Sequence, residues 1–153
     1  MKKRLSPPSG HPPPTTVQAP SGNTIGLLAL AEEVCRRYAA EFGDDEDRYK
    51  PAEVTRAWCV HDNQHLLNWA FLSLSDFCDF EEQVAWLARI LEARDFPLER
   101  LARNLELAAE VATEAVRDGG KQAAGVLRAG AALVRAQGTF LDERSEILRG
   151  SGH

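Results

Sequence analysis

Long apolar runs are missing from this sequence. Its uncharged apolar stretches, such as Thr24 to Ala31 and Asn63 to Ser75, fall short of the roughly 20 residues a membrane helix needs, so no membrane span is expected. Basic charge is also in deficit: 18 Lys and Arg stand against 23 Asp and Glu, for a net charge of -5. A phosphate backbone would be repelled, and nucleic acid is not an expected partner. Cysteine is scarce. Cys35, Cys59 and Cys78 are odd in number, show no C-x-x-C spacing and sit within or beside apolar helical patterns. They read as reduced, mostly buried thiols. The opening Met-Lys-Lys-Arg is followed by prolines and polar residues where a signal peptide would carry its apolar region, so a cytoplasmic protein is expected. The catalytic fingerprints G-x-S-x-G, phosphate loop and dinucleotide loop do not occur, and a non-enzymatic role is expected. No stretch shows the two-residue alternation of a strand.

What remains is helical periodicity behind a proline tract. Residues 1–22 hold six of the eight prolines, with Ser, Thr and Gly between them. Such a composition buries too little apolar surface to offset the entropy of ordering, and a disordered Pro-rich arm is expected. Asn23 and Thr24 suit the cap of a first helix over 25–42, with Leu27, Ala31, Val34 and Tyr38 on one face. Gly43 ends it. The acidic run Asp44 to Asp47 lacks the spaced ligands and turn glycine of a calcium loop and reads as a solvated linker.

From Pro51 the pattern is helical through about Ser75, and its second half is apolar nearly all round. This predicts a central helix enclosed by the others. Asp76 and Asp79 can cap a third helix bearing Phe80, Val84, Leu87 and Leu91, and Asp95-Phe96-Pro97 marks a corner. A fourth helix buries Leu98, Leu101, Leu105, Ala108 and Ala112, while Glu106, Glu110 and Glu114 form a like-charge row on its outer side. Gly119-Gly120 stops it. A fifth helix over about 122–137 carries Gly125 and Gly130, which either admit a close neighbour or simply weaken it, and Thr139 restarts a short sixth to about Leu148. The expectation is therefore an all-α single domain of five to six helices over 23–149, globin-like or a bundle, with 150–153 a disordered end.

One segment concentrates unusual side chains. At helical spacing, Trp58, His61, Asp62, His65 and Trp69 share a stripe, with Cys59 beside it. Two indoles with a few polar groups are the usual make-up of a small-molecule pocket, so these six residues form the candidate ligand-binding site. His61, His65 and Asp62 also form a candidate metal set, two or three ligands that need more from elsewhere. Against both stands a packed core in which the histidines bond to backbone or water.

Several of these residues carry a resemblance. Cys59-Val-His-Asp62, the apolar run Leu67 to Leu74, Phe80-x-x-x-Val-Ala-Trp86, Ala93-Arg94 and Leu101 to Glu106 resemble a helical domain of bacterial cobalamin-linked sensory proteins. The Cys-x-x-Asp before a long apolar helix is also similar to the globin-like phycobiliproteins. That likeness spans about Leu27 to Val116 and implies a tetrapyrrole-type ligand, with a bilin held by thioether at Cys59 and its pyrrole nitrogens met by Asp62. His61 stands where phycobiliproteins place an arginine, Leu66 where the sensory domains place a histidine, and the Asp-x-His-x-x-Gly motif of a cobalamin unit is absent. The functional expectation is a sensory or ligand-binding domain working with a protein partner or as a homodimer. The alternatives are a metal-binding bundle and a structural adaptor.

Overall fold

Asp79 shows how the chain punctuates itself: its side chain accepts a hydrogen bond from the Glu82 amide, and Glu81 and Glu82 add negative charge to the same first turn. The computed structural model describes residues 12–43 and 52–141, with side chains in the second helix from Arg56 onward. Five helices follow a short hairpin: β1 (Thr16–Gln18), β2 (Thr24–Gly26), α1 (Leu28–Phe42), α2 (Ala52–Ser73), α3 (Phe80–Ala93), α4 (Leu98–Ala115) and α5 (Gly120–Gln137). The domain is all-α in class, as the periodicity predicts. The acidic run and the expected sixth helix beyond Leu141 lie outside the described residues.

The amino-terminal region departs from expectation. Residues 12–22 do not form a bare arm, because Thr16–Gln18 pairs antiparallel with Thr24–Gly26 in a register that sets Val17 opposite Ile25. Each three-residue strand shows the exposed, buried, exposed pattern of a one-sided ribbon. Val17, Ala19, Ile25 and Leu27 are buried in the core. Their burial orders the segment and moves the start of α1 from the expected Asn23–Thr24 cap to Leu28. Leu27 then donates its amide to the Thr15 carbonyl at 2.9 Å. At the hairpin tip Ser21 Oγ and Asn23 Nδ2 both donate to Asp118 Oδ2, the latter at 2.7 Å, which fastens the ribbon to the corner between α4 and α5.

α2 is the central helix. Leu66, Leu67, Ala70 and Phe71 are buried, and α2 packs against α1, α3, α4, α5 and β1. The closest pair is α4 with α5, where small residues let two backbones approach. Gly120 supplies part of that fit, since a Cβ there would meet the Ala112 carbonyl of α4; Gly130 instead admits α3, a Cβ there lying 2.7 Å from the Phe80 ring, whereas Gly125 faces open space. Asp76 does not cap α3. Its φ of 61° places it in the left-handed position that closes α2, with Asp76 N bonded to Ser73 O and Phe77 N to Leu72 O. Asp95, φ 63°, closes α3 the same way against Glu92 and Leu91. These turns leave Phe77 75% exposed.

The glutamate row of α4 is not a bare like-charge face. Arg37 of α1 pairs with Glu114 at 2.7 Å and Glu110 at 3.7 Å, Arg103 joins Glu41 to Glu106, and Arg135 of α5 bridges Glu99 and Glu106. Arg37 of α1 and Arg135 of α5 interleave with the row and Arg103 of α4 ties it to α1, an arrangement that spacing along one helix cannot reveal. Hydrogen bonds from Arg135, then Arg103, hold the Glu106 carboxyl below its usual range against the opposing effect of burial.

Candidate functional site

The stripe on α2 exists as a ladder of rings. His61 and His65 have ring centroids 5.0 Å apart, His65 and Trp69 are 5.6 Å apart, and Trp69 meets the edge of Trp86 on α3 at 6.4 Å. A spacing of four residues stacks the first three rings, and the edge-on meeting of two indoles is a favoured aromatic geometry. His65 is buried, while His61 and Asp62 each keep 14% of their side chains exposed. Asp62 Oδ1 lies 3.3 Å from His61 Nδ1. Trp58, a turn earlier, stands under the Arg94 guanidinium at 5.7 Å.

The ladder opens onto a cleft of about 670 Å³ lined by Pro12, Pro14, His65, Asn68, Trp69, Glu82, Gln83, Trp86 and Arg89. Of the six residues expected at the site, the cleft takes His65 and Trp69. Trp58, Cys59, His61 and Asp62 lie half-buried in the amino-terminal half of α2 and do not line it. The wall that sequence reasoning missed comes from α3 and from the proline tract. In the sequence Trp86 stands out only as the end of the Phe80-x-x-x-Val-Ala-Trp86 block, and the position of Pro12 and Pro14 depends on the hairpin. Gln64, buried on α2, donates to the Pro14 carbonyl at 3.0 Å and holds that tract against the helix.

Cys59 has a different role from the one expected. It forms a disulfide with Cys35, joining α1 to α2 with Cα atoms 6.1 Å apart. The reduced-thiol reading is thereby corrected for this pair; Cys78 alone is free, its thiol pushed up by burial and by Asp79. Each paired cysteine sits on the inward stripe of its own helix, and only the crossing of α1 and α2 brings the two together. Beside the bond, Asn63 Nδ2 donates to the Cys59 carbonyl at 3.0 Å and to Asn104 of α4 at 3.0 Å, and lies 3.5 Å from both sulfurs.

These residues do not fit a covalently held bilin, because the sulfur that would carry it is spent on Cys35 and Asp62 lies outside the cleft. Nor do His61, Asp62 and His65 make a metal centre: among the described residues no group of three or more His, Cys, Asp or Glu side chains is gathered to hold an ion. What the cleft offers is two flat apolar faces, the amides of Asn68 and Gln83, and two opposite charges at its edge. No helix among the described residues is long and apolar enough to cross a membrane. No protein-family model, curated protein or solved structure matches the chain.

Proposed function

We propose that this chain is a non-enzymatic helical binding domain whose ligand or partner enters the cleft between the proline tract, α2 and α3. One observation carries the reading: Trp69 and Trp86 meet edge to face in the wall of a cleft of about 670 Å³, with His65, Asn68, Gln83, Glu82 and Arg89 around them. Ligand sites are concave, aromatic-lined and sparsely polar, with volumes of roughly 300 to 1,000 Å³. Packed cores spend their indoles differently, against neighbours that leave no space.

The functional residues under this reading are Trp69, Trp86 and His65 as contact surfaces, and Asn68 and Gln83 as orienting hydrogen-bond groups. The Cys35–Cys59 bond supports folding in an oxidising compartment in place of the cytoplasm expected from the sequence. Ligand-observed NMR with a library of small aromatic and amide compounds tests the proposal on the full chain. Compounds that bind the wild type and lose binding in Trp86→Ala, with the fold checked by circular dichroism, are the expected result. A library without a single Trp86-dependent binder overturns it.

A further inference from the structure

The cleft already holds proline. Pro12 and Pro14 line it together with Trp69 and Trp86, and the Pro14 carbonyl is taken by the Gln64 amide. A flat aromatic face against a pyrrolidine ring, with a side-chain amide on the intervening carbonyl, is how polyproline segments are recognised. Such segments are bound with little ordering entropy because they are extended beforehand. The lining also carries charge of both signs. Glu82 and Arg89 stand seven residues apart on α3, two turns on one face and about 10 Å along the axis. No ion pair joins either to another described residue. A polyproline helix rises about 3.1 Å per residue, so side chains three positions apart on it match that separation.

Resting on the proposed binding role of the cleft, we infer that its partner is an extended proline-rich segment of another protein, with a basic and an acidic residue three positions apart around prolines. The basic side chain meets Glu82, the acidic one meets Arg89, and the prolines between them lie on Trp69 and Trp86. Asn68 and Gln83 take carbonyls of the segment as Gln64 takes that of Pro14.

Fluorescence anisotropy of a labelled Pro-Lys-Pro-Pro-Glu-Pro peptide against the full chain tests the inference. Saturable binding is expected, weakened at least about tenfold by Trp86→Ala. The surface variant Glu82→Lys does not depend on refolding of the wall, and it weakens binding of this peptide while strengthening that of Pro-Glu-Pro-Pro-Glu-Pro. Replacing the prolines by glycine at constant charge lowers affinity about tenfold. Equal affinity for the glycine peptide, an unchanged preference in Glu82→Lys, or no binding to the full chain each overturns the inference. The dye 8-anilinonaphthalene-1-sulfonate separates the two levels. Trp86-dependent dye binding without peptide binding leaves the cleft as a site for another ligand class, and loss of both removes the binding role itself.

Discussion

Asn63 on α2 and Asn104 on α4 exchange amide hydrogen bonds across the core, Asn63 donating at 3.0 Å and Asn104 returning the bond at 2.9 Å. Both side chains are buried, so each is the other's answer to the cost of leaving water. Asn104→Ala removes the amide that donates to Asn63 Oδ1 and is expected to cost about 2 kcal/mol, whereas the double change to leucine costs far less because no polar atom is stranded. Urea denaturation of the two variants decides this; equal losses would mean that packing, not polarity, sets the energy there.

The bond between Cys35 and Cys59 closes a loop with a sequence separation of 24. Constraining a loop of that length in the unfolded chain stabilises the fold by about 3 kcal/mol. Reduction, or Cys35→Ser with Cys59→Ser, is expected to lower Tm by roughly 10 °C. Thiol titration of unfolded, non-reduced protein should find one reactive group, Cys78, and three after reduction. Three before reduction would refute the pairing.

Glu92 anchors the chain after α5. Its carboxylate accepts from Thr139 Oγ1 at 2.6 Å and from the Phe140 and Leu141 amides, and Phe140 is fully buried. Burial alone raises its pKa, but the three donors outweigh that and leave it below the ordinary value of 4.5. A carboxyl depressed in the folded state stabilises above its unfolded pKa and loses that contribution as pH falls through the folded value. The stability difference between wild type and Glu92→Gln should therefore be largest near neutrality and shrink below about pH 4.5. A difference independent of pH between 3 and 7 would show that charge is irrelevant at this anchor.

Two glycines of α5 give opposite predictions. Gly125 meets nothing within 4 Å, so Gly125→Ala should stabilise the helix by about 1 kcal/mol. An alanine at Gly120 would strike the Ala112 carbonyl of α4, a backbone atom that cannot rotate away, and should cost about 1 to 3 kcal/mol. Thermal melts of the two variants should move in opposite directions; a shared direction would contradict the packing of α4 on α5.

What the sequence makes legible is what residues three, four or five apart decide. The burial of Leu66, Leu67, Ala70 and Phe71, the Asp79 cap and the corner at Asp95 follow from local pattern. The expected stop at Gly119 does not: α4 closes at Val116, and Gly119 opens α5. The missed features are set by residues far apart. Val17 alternates with its neighbours over only three positions, too few to register against a proline-rich background, and its burial depends on the fold of the rest. Arg37, Arg103 and Arg135 reach glutamates on other helices, and the cysteine pair depends on a crossing. For the site the divide is the same: His65 and Trp69 could be found on one helix, while Trp86, Pro12 and Pro14 could not.

The covalent tie between α1 and α2 changes what a protease can achieve. A single backbone cut in the acidic stretch between Gly43 and Ala52 leaves both fragments fastened to one another, so the nicked molecule travels as one species until a reductant is added. Damage in that stretch is thus converted from dissociation into a silent scar.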